Sequence, residues 1–204
     1  MRRSPDNIDS TGSGSAEDAL TDVSAAEETP YVLEVFEPTP EGWAVVKDAV
    51  VKLETDEFGE EAFEPELLEE DFLKPENTVV ILREASMGEI IGFTYAEPLA
   101  SMDERDLRQV DREDDGEKTA YVSDTVIAPT HRGRRLVGRL TGKLAEELAH
   151  RGFGFLERDA AVVNNYADNI IKNNEQGIIY AGEPEESKYG PQRFIRMRID
   201  KHET

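Results

Sequence analysis

The residues with the clearest chemical potential form a basic turn at 131–135 (HRGRR). The β-branched stretch before it, 121–127, predicts a strand, and the segment after it, 135–151, predicts an amphipathic helix that ends at Gly152. The first amide N–H groups of a helix have no partner inside the helix, so they can hold phosphate oxygens at its positive end. Strand, turn and helix therefore predict an anion site, which by itself would suit any phosphate-bearing ligand.

The charge of the whole chain contrasts with that turn. Asp and Glu total 45 against 23 for Lys and Arg, and the net charge is -22. Self-repulsion of this size destabilises a compact chain, but at about 1 M salt the Debye length falls to about 3 Å and screens most of it. With 15 arginines and only 8 lysines, the composition predicts a halophilic protein. An acidic protein with a basic partner is the alternative. Free nucleic acid is not expected as a ligand, because phosphate binding needs a broad basic face.

Length and composition predict a soluble, cytoplasmic protein. The 204 residues suit one domain, and no run approaches the roughly 18 apolar residues of a membrane helix. Cysteine is absent, which removes thiolate ligands and cysteine nucleophiles, and three isolated histidines predict no metal site. Residues 1–29 are small, polar and acidic, so they predict a disordered acidic tail ahead of a domain at 30–204.

The segments around the turn predict one mixed α/β sheet. The expected order is β-α-(α)-β-β-β-α-β-α-β. Its strands are predicted at 31–36, 77–83, 89–95, 119–127, 154–158 and 193–199, and its helices at 41–53, after Pro65, at 135–151 and at 164–172. Residues 111–122 faintly match a calcium loop, but Val122 stands where a bidentate Glu is needed, so a solvated loop is predicted.

This order, together with the segment 121–177, resembles the GNAT superfamily of acetyl-CoA-dependent N-acetyltransferases. The matching residues are Val126-Ile127-Ala128-Pro129, His131-Arg132-Gly133-Arg134, Leu136, Leu140, Gly152, Asn164, Ala167 and Gly177-Ile178. The chain departs from the family at Arg135 and Val137, where small residues are usual, and at Ile171, where the family often has a proton-donating tyrosine. The resemblance implies a GNAT-like mixed central sheet flanked by helices, with acetyl-CoA as cosubstrate.

The resemblance also implies a cofactor cleft where two parallel strands, 121–127 and 154–158, splay apart. The backbone of the turn would bind the pyrophosphate, with charge-assisted contacts from its arginines; these residues are Arg132, Gly133, Arg134, Arg135, Leu136, Val137 and Gly138. Next to Val126, the amide of Ile127 would hold the thioester carbonyl and stabilise the oxyanion. Asn164 would touch the pantetheine arm or else cap a helix. The alternative for Arg132 and Arg134 is ion pairing with the acidic surface.

Acetyl transfer requires a neutral amine, so a base is expected near the cleft. Asp124 is the candidate catalytic residue, and a surface or salt-bridged carboxylate is the alternative interpretation of it. Secondary candidates are Glu157 and Asp159 as bases, Tyr180 and Tyr189 as thiol acids, and His131 as a cofactor neighbour.

The expected function is transfer of an acetyl group to a small-molecule or protein amine by direct attack, since no cysteine is available to carry the acyl group. A non-catalytic acyl-CoA-binding or regulatory protein on the same fold is the rival function. A homodimer through the last strands stays open.

Overall fold

Eight strands form one mixed sheet in the computed structural model, which describes residues 30–102 and 117–199. The predicted tail at 1–29 and the first half of the faint calcium loop, 111–116, lie outside the described residues. The strands are β1 (Tyr31–Val35), β2 (Thr78–Glu84), β3 (Ile90–Pro98), β4 (Lys118–Ile127), β5 (Phe153–Ala161), β6 (Ile178–Ala181), β7 (Glu185–Ser187) and β8 (Gly190–Arg198). Their order is β1-β2-β3-β4-β5-β8-β6, and β7 also pairs with β8. All paired strands are antiparallel except β4 and β5.

In the described ranges, four α-helices cover the two faces of this sheet: α1 (Pro40–Phe58), α2 (Pro65–Leu73), α3 (Leu136–His150) and α4 (Tyr166–Asn173). Leucines four residues apart line the buried side of α3, and with α4 they form one apolar core. The second core, on the opposite face, packs α1 and α2 around the fully buried Phe72. The α1 helix begins after Thr39, whose side-chain oxygen accepts a hydrogen bond from the Gly42 amide at 3.0 Å. None of the helices in the described ranges is long and apolar enough to cross a membrane.

The predicted mixed sheet flanked by helices is confirmed, with differences at its edges. The α1 helix continues to Phe58 rather than ending at Leu53, because Glu54 and the residues after it keep helical hydrogen bonding beyond the apolar stripe. The prediction of a single strand after α4 is wrong, since β6 and β7 precede the last strand. Both are short and mostly exposed, so they lack the apolar alternation by which strands are recognised.

A β-bulge at Ser123 divides β4 into two halves that present opposite faces. Tyr95 pairs with Asp124, whereas the next residue of β3, Ala96, pairs with Val122, so Ser123 is the extra residue. Before the bulge, Val122 belongs to the core of α3 and α4. After it, Val126 belongs to the core of α1 and α2. The bulge therefore turns Asp124 toward the α1 and α2 face of the sheet.

The two parallel strands separate part-way along their length. Their pairing runs from Lys118 and Phe153 to Tyr121 and Glu157 and then stops, although β4 continues to Ile127 and β5 to Ala161. The gap between these two ends, which do not pair with each other, is here called the β4–β5 opening. It lies at the carboxyl ends of two parallel strands, where α/β sheets usually bind ligands, and it has the position that the sequence predicts for the splay.

Candidate functional site

The turn that leads from the β4–β5 opening to α3 has two residues in the left-handed conformation. Gly133 has φ 77° and Arg135, directly before α3, has φ 61°. For a residue with a side chain this conformation costs about 1–2 kcal/mol. Arg135 stands where the resembled family has a small residue, and its positive φ explains that preference, because glycine adopts this conformation without strain. The turn thus keeps the backbone conformation that suits glycine, although Arg135 occupies the position.

The start of α3 leaves its amides open. No side chain caps the helix, so the amide N–H groups of Leu136, Val137 and Gly138 lack the partners that an N-cap residue supplies. The Val137 side chain is half-buried and packs against the core of α3 and α4. Around Gly138, which is exposed, a Cβ would meet nothing within 4 Å. These amides therefore form the positive end of a 15-residue helix and suit an anion.

The arginines of the turn are already held by neighbouring groups. Arg132 donates from Nε to the Ile127 carbonyl at 3.1 Å and from Nη2 to the carboxylate of Glu57, near the end of α1. Arg134 donates from Nη1 to the Tyr31 hydroxyl at 2.6 Å and more weakly to the Thr130 carbonyl. The alternative of ion pairing thus holds for Arg132. Within the described part of the chain Arg134 contacts only neutral groups, so its charge is available to a ligand.

The backbone of β4 points one amide into the opening. The Ala128 amide donates to the Ile91 carbonyl of β3 at 2.8 Å. Since amides alternate in direction along a strand, Val126 also points its N–H at β3, while Ile127 points its N–H toward β5. At that level β5 no longer pairs with β4. Of the two residues that the sequence predicts here, Ile127 presents an amide to the opening and Val126 contributes a buried side chain.

On the α1 and α2 face, two carboxyl groups are buried together. Asp124 is 8% exposed and Glu54, on α1, is 1% exposed. One oxygen of each accepts a backbone amide hydrogen bond, from Thr125 at 2.6 Å and from Phe63 at 3.1 Å. The other oxygens, Asp124 Oδ2 and Glu54 Oε2, are buried and have no donor among the described residues. We refer to Asp124 and Glu54 as the acid pair.

The acid pair changes the proton affinity of Asp124. Burial raises the pKa of Asp124 well above its usual value, and Glu54 adds to the rise through a hydrogen bond and through its charge; the Thr125 amide and the Arg158 guanidinium act in the opposite direction. When both carboxyl groups are ionised, each can only accept hydrogen bonds, so neither free oxygen has a donor. A hydrogen bond between the two groups therefore requires that one of them carries a proton. A carboxyl group tuned in this way can exchange a proton with an amine.

On the opposite face, a buried guanidinium reaches across the opening. Arg158 follows Glu157, the last residue of β5 that pairs with β4, and is 3% exposed. Its Nη2 donates to the Tyr166 hydroxyl at 2.6 Å and to Thr125 Oγ1 on β4 at 3.3 Å. Nε and Nη1 are buried without an acceptor, and no carboxylate of the described residues forms an ion pair with Arg158. A buried cation without a counter-ion is costly, by several kcal/mol.

The remaining predicted residues lie around this centre. The Glu157 carboxylate is engaged by Arg196 at 2.8 Å in a buried ion pair, and Asp159 accepts from the Tyr121 hydroxyl at 2.8 Å. Tyr180 and Tyr189 are exposed, and the ring of His131 contacts that of Tyr31. Asn164 lies in a 3-10 turn before α4, and its side chain is outside the described part of the structure. Within that part no cluster of three metal-ligating side chains occurs.

A family model now decides which fold family this arrangement represents. The model of the acetyltransferase (GNAT) family matches residues 43–171, which is more than half of the chain and includes α1, β4, the turn, α3 and β5. The chain belongs to the GNAT acetyltransferase family. The family resemblance predicted from the sequence is therefore confirmed. No curated protein sequence matches the chain.

Solved structures share the fold of this GNAT protein at low sequence identity. NAA60 of Arabidopsis thaliana in complex with acetyl-CoA has a TM-score of 0.60 and 12% identity over 83% of this chain and 98% of its own. Aminoglycoside 6'-acetyltransferase type Ii has a TM-score of 0.59 and 17% identity over 84% of this chain and 99% of its own. The ribosomal-protein-S18-alanine N-acetyltransferase of Escherichia coli has a TM-score of 0.56 and 13% identity over 83% of this chain and 94% of its own. At these identities the comparisons establish the GNAT fold and leave the acceptor open.

Three residues of the candidate site in this GNAT protein escaped the sequence prediction: Glu54, Arg158 and Tyr166. Glu54 was signalled by its spacing of four residues after Val50, which places a carboxylate on the buried side of α1. Arg158 was signalled by a charge in a strand whose neighbours Leu156 and Ala160 are apolar. Nothing in the sequence marked Tyr166, since its role depends on where Arg158 points.

Proposed function

We propose that this GNAT protein transfers the acetyl group of acetyl-CoA to an amine by direct attack. The observation that carries the proposal is the β4–β5 opening, which has an unpaired amide on one strand, an anion-binding helix start at its end and a buried carboxyl group on its far side. Each of these features meets a different part of the reaction. Together they favour an acyl-CoA enzyme over a protein that binds a nucleotide alone.

The start of α3 supports binding of the cofactor's pyrophosphate. The uncapped amides of Leu136, Val137 and Gly138 would hold its oxygens, and Arg134 would add a charge-assisted contact by exchanging its neutral partners for phosphate. Because Val137 packs inward and Gly138 is open, the departures from the family pattern leave room for the ligand. Asn164, close to the start of α4, would contact the pantetheine arm.

The opening supports the chemical step. The Ile127 amide would donate to the thioester carbonyl and stabilise the oxyanion that forms when the amine attacks. Asp124 would accept the proton that the ammonium group must lose before its nitrogen can attack, directly or through water. Its raised pKa fits this role, because a carboxyl group of ordinary pKa is too weak a base for an amine.

The proposal predicts both binding and turnover. Acetyl-CoA should bind with measurable heat in molar KCl, and incubation with a panel of amines should release free thiol. Arg134→Ala should weaken CoA binding several-fold, whereas Arg193→Ala, which removes a cation on the far strand β8, should leave it unchanged. An Arg134→Ala protein that binds as tightly as the wild type would show that the cofactor site is assigned wrongly.

A non-catalytic acyl-CoA-binding protein is the second candidate, and two observations favour it. Arg132 is engaged by Glu57, and Ile171 replaces the usual proton-donating tyrosine, so two parts of the familiar machinery are altered. Heat of binding without thiol release, across small-molecule amines and peptides with free amino groups, would support this candidate. The acceptor is a small-molecule or protein amine under the first proposal, and the acidic α1 and α2 face near Asp124 would favour a cationic one.

The acid excess and the sheet edge support two proposals about the protein's setting. We expect function in the molar salt of a halophile's cytoplasm, so dialysis into dilute buffer should unfold the protein. A melting temperature that is independent of KCl would contradict this.

Strand β6 is an edge strand with exposed Ile179 and Tyr180, which suits a homodimer through the last strands. A monomeric mass by light scattering at high protein concentration would exclude the dimer.

A further inference from the structure

A buried positive charge, without a counter-ion among residues 30–102 and 117–199, faces the β4–β5 opening. The Arg158 guanidinium is held by two neutral oxygens, those of Tyr166 and Thr125, and its Nε and Nη1 have no acceptor in the described part of the chain. Buried charges are normally paired with opposite charges. The arrangement is therefore complete only when an anion, or an atom that becomes anionic, enters the opening.

The position of Arg158 relates it to one part of the proposed reaction. Its Nη2 lies 3.3 Å from Thr125 Oγ1, and Thr125 is two residues before Ile127, whose amide would hold the thioester carbonyl. The thioester sulfur is bonded directly to that carbonyl carbon. With the carbonyl held there, the sulfur would lie in the opening that the Arg158 guanidinium faces, on the face of the sheet opposite Asp124.

The hydroxyl of Tyr166 has a hydrogen to give. Arg158 can only donate, so in their 2.6 Å hydrogen bond the phenol oxygen accepts. The phenol hydrogen remains free, and no hydrogen bond donated by Tyr166 is formed with the described residues. The guanidinium also lies over the Tyr166 ring, 5.3 Å from its centre, which fixes the two groups relative to each other.

We propose that Arg158 and Tyr166 together receive the leaving thiolate of CoA. The inference rests on the proposed acetyl transfer. As the amine nitrogen forms its bond to the carbonyl carbon, the C–S bond breaks and its electron pair stays on sulfur. Arg158 stabilises that negative charge, Tyr166 transfers its phenol proton to the sulfur, and water restores the phenol proton. The amine's own proton leaves separately, through Asp124. The pair thereby replaces the tyrosine that is absent at position 171.

The test is a pH titration of CoA bound to the full-length protein. The ultraviolet absorbance of the thiolate reports how much of the CoA thiol is ionised at each pH. No acceptor is needed. Bound to the wild type, the CoA thiol should have a pKa at least one unit below that of free CoA in the same buffer, a tenfold gain in the thiolate-to-thiol ratio. Arg158→Met should abolish the shift, Arg158→Lys should keep part of it, and Tyr166→Phe should reduce it. Arg193→Met, which removes an arginine paired with Asp168, is the matched control and should keep the full shift.

The outcomes separate this inference from the proposed function. If CoA binds to the wild type with an unshifted thiol pKa, or if Arg158→Met keeps the full shift, the thiolate site is wrong while the cofactor site stands. If calorimetry shows that CoA does not bind, both proposals fail. The wild-type titration and Arg158→Lys keep the test decisive even if Arg158→Met does not fold.

Discussion

The two faces of the sheet meet at the β4–β5 opening and carry opposite charge there. Among the described residues, no cation is in hydrogen-bonding contact with the acid pair, Asp124 and Glu54, on the α1 and α2 face. Within the same ranges, no anion pairs with Arg158 on the α3 and α4 face. The two sets are not paired with each other, although Arg158 lowers the pKa of Asp124 through its field. This separation matches a reaction in which an ammonium loses a proton on one side of the thioester and a thiolate forms on the other.

The largest effect is expected from breaking the acidic side. Asp124→Asn should lower kcat/KM for acetyl transfer by about 10²–10⁴-fold, because the amine loses its proton acceptor, while CoA binding stays unchanged. Steady-state thiol release and calorimetry measure the two quantities. Asp159→Asn is the control on the neighbouring strand and should lose much less activity. An equal loss from both variants, or a loss from Asp159→Asn alone, would move the base to β5.

The next effect concerns pH. Because the pKa of Asp124 is raised, kcat/KM should increase as pH rises through that value. Glu54→Gln removes the neighbouring negative charge and should move this acid limb to lower pH, by about one unit, the typical influence of a close like charge. Gln keeps the shape of Glu and can still hydrogen-bond to Asp124. A pH profile that is identical in Glu54→Gln would show that the acid pair does not control the base.

The same raised pKa has a consequence for stability. The native state binds the Asp124 proton more tightly than the unfolded chain does, so the free energy of unfolding should fall as pH rises from the ordinary Asp pKa, about 3.9, through the raised value. Asp124→Asn should flatten this dependence and raise stability at neutral pH. Denaturant titrations at several pH values, in molar KCl, measure it. A pH dependence that is unchanged in Asp124→Asn would contradict the buried acid pair.

A smaller effect is expected in the turn on the cofactor side. Arg135→Gly should raise the free energy of unfolding by about 1 kcal/mol, because glycine adopts the left-handed conformation without strain. Gly133→Ala places a side chain at the same kind of position and should lower stability by a similar amount. Thermal melts with the two variants side by side provide the comparison. The two variants should change the free energy of unfolding in opposite directions. A change in the same direction would show that the turn is not built as described.

The smallest effect concerns the contact between the faces. Glu57 on α1 holds Arg132 in an exposed ion pair, and such pairs contribute about 0–1 kcal/mol. Glu57→Gln should release Arg132 for the cofactor and tighten CoA binding by up to about fivefold, with less gain at high salt. Glu60→Gln, in the 3-10 turn that follows α1, is the control. Weaker binding by Glu57→Gln would mean that the ion pair shapes the site rather than competing with the ligand.

The sequence predicted the sheet, the turn and the place of the opening, because these depend on strand order and on local patterns near Gly133 and Gly152. It could not predict which face Asp124 occupies. Without a bulge, alternation along β4 places Asp124 on the same face as Val122, toward α3. The extra residue Ser123 reverses that direction, and nothing in the local sequence marks a bulge there.

The acid pair and the Arg158 site show the same limit. Glu54 lies on α1 and Asp124 on β4, so their proximity is a result of packing between distant segments. Spacing along α1 could have placed Glu54 on the buried side of the helix, but its partner becomes evident only in three dimensions. Arg158 was visible as a charge in an apolar strand, whereas the absence of a counter-ion among the described residues depends on how the chain folds around it.

The central claim is that the Ile127 amide, unpaired in the β4–β5 opening, holds the thioester carbonyl. Residue-resolved hydrogen exchange in molar KCl tests it most directly, with Val126 as the internal reference because its amide points at β3. In the free protein the Ile127 amide should exchange faster than that of Val126. Acetyl-CoA should slow Ile127 strongly, and CoA without the acetyl group should slow it less. An Ile127 amide whose exchange is the same with and without acetyl-CoA, at concentrations where calorimetry shows binding, would contradict the account.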